Sequence, residues 1–269
     1  MNFHDKVRSD LVTSLKIESS DKIEQLNNSM RLLAKWRSVL IQNTVLQNEG
    51  STVLGGPFKG MQFLEHSSEG CHIAKLLGCY EQPLFEHLET AISSSFATVL
   101  NIGCAEGYYA VGMARRMPNS KIFAFDTNVL AQQACQKLAV TNNVSDQIRV
   151  GGVFEPEQFS NFPDEQTLIL CDIEGAEQEL LVPNQADGLK RKFIIVESHE
   201  CLKPGITETL ISRFNETHNV TLVNDHGSRE IPHVPRWFTN LSHLDQLLAT
   251  WEWRSGPTPW LIMEPKPYY

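Results

Sequence analysis

The sequence has no C-x-x-C pair, and its six cysteines (Cys71, Cys79, Cys104, Cys135, Cys171 and Cys201) stand far apart. This argues against a zinc ribbon or a dithiol redox centre and leaves reduced core or loop thiols. No apolar run approaches the roughly 18 residues a membrane-spanning helix needs, and charges interrupt the amino-terminal stretch where a signal peptide would carry its apolar core. The expectation is a cytoplasmic protein with no membrane partner. Basic clusters are also missing: 23 Lys and Arg are scattered among 32 Asp and Glu, for a net charge of -9. A surface that tracks phosphates is poorly served by that balance, so no nucleic-acid partner is expected. There is no internal repeat and no low-complexity tract.

What is present suits one large α/β domain with a helical appendage. Ile23, Leu26, Met30, Leu33, Trp36 and Leu40 recur at helical spacing over residues 20–42, with Asp21 and Glu24 resembling a capping box. This helix is expected to pack on the main domain, with a lid or a homodimer contact as the alternatives. The glycine-rich segment 49–60 breaks it, which sets an extension over 1–50 and a main domain over 51–269. From residue 81 onward, apolar runs alternate with amphipathic stretches, the pattern of a parallel sheet with crossover helices. Strands are expected at Thr98–Ile102, Lys121–Phe125, Gln147–Val150, Thr167–Cys171, Phe193–Glu197, Val220–Val223 and Trp260–Met263, and helices at Tyr108–Arg116 and Val129–Thr141. The fold class is therefore α/β, a Rossmann-like, doubly wound, mostly parallel sheet of seven strands.

The segment VLNIGCAEGYYAVGMARR places Gly103 and Gly107 between an apolar strand and a helix. Such a turn lets the backbone approach a ligand and aims free N–H groups at it. The second strand ends in Asp126, and an acid at that tip can accept hydrogen bonds from the ribose of an adenosine moiety. A dinucleotide would need G-x-G-x-x-G for its pyrophosphate, and G-x-A-x-G is too short. The loop Asn101, Gly103, Cys104, Ala105, Glu106 and Gly107, with Asp126, Thr127 and Asp172, makes up the candidate cofactor site. Cys104, close to a helix N-terminus, is weighed as a reactive thiol and set aside as a packing residue.

Here the chain resembles the class I S-adenosylmethionine (SAM)-dependent methyltransferases, whose first motif is an acid followed by G-x-G-x-G. Asn101 stands in place of the acid and Ala105 in place of the middle glycine. TLILCDIEGAEQELL is similar to the D-x-E-G-x-E signature of FkbM-type methyltransferases, with Asp172, Glu174, Gly175 and Glu177 at those positions, and FIIVESHE is similar to the next strand of that family. The likeness runs from about Thr98 to Val223. It implies SAM as cofactor and methyl transfer to a small-molecule acceptor, at a hydroxyl oxygen.

Ligands of an open α/β sheet bind beyond the carboxyl ends of its strands, so Asp126, Asp172, Glu174, Glu197, His199 and Glu200 are expected on one rim. Asp172, His199 and Glu197 are the candidate catalytic residues, with Asp172 or His199 as a base. Glu177 reads equally as a carboxylate that favours a helix start. A divalent metal on Asp172, Glu197 and His199 is chemically compatible, but spacing does not separate it from a hydrogen-bonded acidic rim, and no metal is expected. Lys59, Lys75, Tyr80, Glu81 and Gln82 are candidates to close the pocket, His226 and His233 to bind substrate or metal, and the tryptophans 237, 251, 253 and 260 to line an acceptor pocket. The rival readings are an amine or guanidine acceptor, a nucleotide-dependent oxidoreductase and a non-catalytic SAM-binding protein.

Overall fold

The computed structural model describes residues 2–16, 21–64, 71–163 and 165–267. Within them a seven-stranded sheet is built from β1 (Thr98–Ile102), β2 (Lys121–Phe125), β3 (Ile148–Gly151), β4 (Thr167–Cys171), β5 (Phe193–Glu197), β6 (His218–Val223) and β7 (Trp260–Pro265). The strands lie in the order β3-β2-β1-β4-β5-β7-β6. β7 runs antiparallel to both neighbours, and the pairs among β1 to β5 are parallel. The expected fold class is met. Successive crossovers turn outward on either side of β1 and β4, so the sheet has its switch point there, where ligands settle in such sheets.

Alternation along the strands separates two cores, because successive side chains point to opposite faces. Val99, Leu168, Leu170, Ile195 and Ile262 face one, and Leu100, Ile102, Ile169, Cys171, Ile194, Val196, Leu261 and Met263 face the other. The first core is covered by α2 (Lys22–Glu49), α3 (His72–Leu77), α4 (Phe85–Ser93), α5 (Tyr108–Arg116), α6 (Val129–Thr141) and α9 (His243–Thr250). The second lies under α7 (Glu177–Leu180) and α8 (Ile206–Phe214). α1 (Phe3–Lys16) packs back on α2.

Asp21 caps α2 by accepting from the N–H groups of Ile23 and Glu24, both at 2.9 Å; the expected start at residue 20 lies outside the described residues. The helix runs seven residues beyond its expected end, and its docking face differs from the expected one. Ile41 and Val45 enter the main core, whereas Ile23, Leu26, Met30 and Leu33 are exposed. Polar contacts complete the attachment: Arg37 grips Asp245 with two bonds of 2.7 Å, and Arg31 donates to the carbonyls of Trp253 and Arg254. All six cysteines are free, and only Cys201 is not buried.

Candidate active site

Three neighbouring strands end level with one another. Ile102 of β1 pairs with Cys171 of β4, and Cys171 with Val196 of β5, so Gly103, Asp172 and Glu197 leave the sheet side by side. Gly103 holds φ +80°, and a Cβ there would stand 1.6 Å from the carbonyl oxygen of Asp172. Only glycine lets these two loops touch. The next turn is fixed by Asp126, whose carboxylate accepts from the N–H of Ala105 and that of Asn128, both at 2.8 Å. Ala105 has φ +45°, so an alanine here keeps a left-handed backbone that favours glycine.

Two cavities meet at this seam. One, of about 550 Å³, is lined by Gly103, Phe125, Asp126, Thr127, Phe154, Asp172 and Glu174 among others. The other, of about 390 Å³, includes Cys104, Ala105, Tyr80, Asp172, Glu197, His199 and Arg254. Gly103, Asp172 and Glu174 belong to both. The first is a trough between strand ends with aromatic and carboxylate walls, of a size common for small-molecule sites. The second is closed partly by α2, whose Lys35 lines it and lies over the Trp253 ring.

The second cavity sits in a dense ion network. Arg254 pairs with Glu81 at 2.7 Å, with Glu252 and Asp225 at 3.2 Å, and with Glu197. Arg229 holds Glu252 at 2.5 Å and Asp225 at 2.6 Å. Burial, then the nearby Glu197, pushes the Glu81 carboxyl up to about 7; it also accepts from the Tyr109 hydroxyl. Burial and Glu197 likewise raise Asp172 well above the usual carboxylate range. His199 is buried, with Nδ1 2.7 Å from Glu177 Oε1. Burial alone would lower its pKa, but the Glu177 hydrogen bond and the surrounding carboxylates raise it. Burial pushes Glu177 up, and His199 with the N–H groups around it brings the balance below the ordinary value. Glu177 is thus less a helix-start carboxylate than the support that orients His199.

Several expected residues sit elsewhere. Asn101, Glu106 and Gly107 line neither cavity. Asn101 is buried in β1, and its Oδ1 finds no hydrogen-bond partner among the described residues. Glu106 is buried against Lys75 Nζ at 2.7 Å, and that ammonium lies 4.9 Å from the Tyr80 ring centroid. Burial opposes the Lys75 charge, but Glu106 outweighs it and the pKa rises. A Cβ on Gly107 would meet Cys135 Sγ at 2.7 Å, which makes it a packing glycine. Contact with Cys135 and burial raise the Cys104 thiol, opposite to what a nucleophile needs. Glu200 turns away to accept from Gly205 and Thr207 at the start of α8. Lys59, His226 and His233 are exposed and line neither cavity. Gln82 binds the backbone of Glu230. Of the tryptophans only Trp253 lines the site; Trp260 is in the core, Trp237 donates to Glu49, and Trp251 lies under Arg31.

Sequence reading missed Gly152, Phe154 and Pro156 on the far wall of the first cavity, and Arg254, Glu252, Arg229 and Asp225 around the second. For the first group a signal existed: Gly151-Gly152 follows the third strand at the ligand edge. For the second there was none, because Arg254 meets Glu81 across 173 positions of chain.

No family model and no curated protein matches this sequence. Among solved structures the chain is similar to a human methyltransferase 10 domain containing protein (12% identity, TM-score 0.48, 86% of this chain and 96% of that one). It is also similar to an O-methyltransferase from Bacillus cereus in complex with SAH (14%, 0.47, 69% and 81%). A third is the precorrin-6y C5,15-methyltransferase from Geobacter metallireducens (14%, 0.44, 68% and 89%). At these TM-scores the likeness carries no functional inference.

Proposed function

We propose that this chain is a class I, FkbM-like SAM-dependent methyltransferase that methylates a hydroxyl oxygen of a small molecule in the cytoplasm. The observation that carries the reading is the pair of cavities joined at Gly103, Asp172 and Glu174. One has the fittings for an adenosine cofactor and the other is a separate compartment for an acceptor. When bound, SAM supplies an electrophilic methyl group. Asp126 and Thr127 at the β2 tip would hold the ribose, with Phe125 and Phe154 beside the base. The Gly103 turn brings backbone close to the ligand.

Displacement at a methyl carbon mainly requires alignment, and a hydroxyl acceptor must also lose its proton. Asp172 stands at the seam, where burial and Glu197 raise its carboxyl well above the usual carboxylate range, the direction that favours taking and holding a proton. His199, fixed by Glu177, is the other group within reach of the seam. An amine acceptor is the second reading, favoured by the carboxylates Asp172, Glu174 and Glu197 along the same wall.

Incubation with SAM labelled in its methyl group and a panel of hydroxylated and basic metabolites tests the assignment. Label recovered as a methyl ether supports it. Label on nitrogen moves the assignment to the amine, and bound SAM with no transfer to any compound in the panel favours a non-catalytic binding protein.

A further inference from the structure

The carboxylates at the seam also converge on one nitrogen. His199 is 4% exposed, its Nδ1 is occupied by Glu177, and its Nε2 makes no hydrogen bond within the described residues. That nitrogen nevertheless faces Asp172 Oδ1 at 3.5 Å, Glu174 Oε2 at 3.4 Å and Glu197 Oε2 at 3.7 Å. A proton on Nε2 would draw one oxygen in to roughly 2.8 Å, as Glu177 is drawn to Nδ1 at 2.7 Å. Here all three stand off. An unprotonated Nε2 facing three carboxylates is repulsive unless a cation lies between them. Ligands of a common octahedral ion, each about 2.1 Å from it, are about 3.0 Å apart at adjacent positions, a few tenths of an ångström closer than these.

We infer that Asp172, Glu174 and His199 form a binding site for a divalent cation of the Mn²⁺ or Mg²⁺ type, with Glu197 as a further oxygen donor. One ligand atom from each of the first three already lies within 4.8 Å of the others, so a small contraction closes the set. Glu197 has one oxygen for the task, because Arg254 takes Oε1 and leaves Oε2 on the His199 side. The supporting layer is in place as well. Glu177 Oε1 accepts from Ile173 N–H at 3.1 Å and Gly175 N–H at 3.2 Å while holding His199, the carboxylate–histidine arrangement that fixes a metal-bound ring. An oxygen-rich donor set with one imidazole, open at the exposed Glu174, suits a hard ion that keeps water ligands. Sequence spacing suggests Asp172, Glu197 and His199 without committing to a metal; the structure adds Glu174 and the convergence of the three carboxylates on His199 Nε2.

Asp172 and Glu174 line both cavities, so the cation belongs at the seam, where it would hold and acidify an acceptor hydroxyl. That purpose rests on the methyltransferase reading, but the site itself does not. The test is Mn²⁺ titration of the chelator-treated full-length chain without SAM, followed by calorimetry and electron spin echo spectroscopy. One saturable Mn²⁺ per chain with a ¹⁴N coupling is expected. The coupling should vanish in His199→Gln, affinity should fall at least 100-fold in Asp172→Asn, and it should fall 10- to 100-fold in Glu177→Gln. Lys203→Ala, outside the cluster, should bind as the parent does. Non-saturable binding, or Mn²⁺ bound with no nitrogen coupling in the unmutated chain, overturns the inference whatever the variants do. SAM binding, measured separately, then stands or falls on its own.

Discussion

The two cavities are built differently. The walls of the first come from short segments that follow strands directly: Gly103 after β1, Asp126 and Thr127 after β2, Gly152 to Pro156 after β3, and Asp172 to Glu174 after β4. The second collects Lys35, Lys75, Tyr80, Glu197, His199, Trp253 to Ser255 and Thr258 from across the chain and is tied by long-range ion pairs. A pocket made from strand ends inherits its shape from the sheet, whereas one made from buried charges depends on each of them staying paired.

The largest expected effect tests that dependence. Arg254→Met leaves Glu81, Glu197 and Glu252 without their shared cation. Removing one partner from a buried pair costs about 3–5 kcal/mol. Denaturant unfolding should show that loss, while SAM affinity in the folded fraction stays within a few-fold. Equal loss of stability and SAM affinity would erase the distinction between the cavities.

Gly103→Ala attacks the seam itself. The Cβ would collide with the Asp172 carbonyl oxygen, at φ +80°, and about 2 kcal/mol or more of stability should go. Unlike Arg254→Met, it should also abolish SAM binding. Retained binding would show that the β1 and β4 loops need not touch.

A smaller effect lies in pH dependence. With its carboxyl raised from 4.5 to about 7, folded Glu81 keeps a proton that the unfolded chain has already released. The native state therefore binds more protons across that window, and stability falls as the pH rises from about 4.5 to 7. Glu81→Gln should flatten that part of the stability profile and leave the rest. An unchanged slope would assign the charge stress elsewhere in the network.

The same contrast explains what was legible in the sequence. α5 and α6 begin and end where expected, because Gly107, Asn128 and the apolar spacing mark them locally. β6 starts two residues early at His218, a buried histidine bonded to the Lys192 carbonyl, and no apolar alternation announces a polar strand start. The exposed stripe of α2 resembled a docking face, yet the residues that dock, Ile41 and Val45, lie at and beyond the expected end of the helix. The first cavity was legible through Gly103 and Asp126, which do their work within a few residues of a strand. Arg254 was not, since its partners at positions 81, 197 and 225 become neighbours only through folding.

The central claim is tested most directly by calorimetric titration of the purified full chain with SAM and S-adenosylhomocysteine, beside Asp126→Ala and an NAD control. The account predicts one saturable SAM site per chain, at least tenfold weaker in Asp126→Ala through loss of charge-assisted hydrogen bonds of about 1.5–3 kcal/mol, and no uptake of NAD. Absence of saturable SAM binding, or binding of NAD in its place, would contradict it.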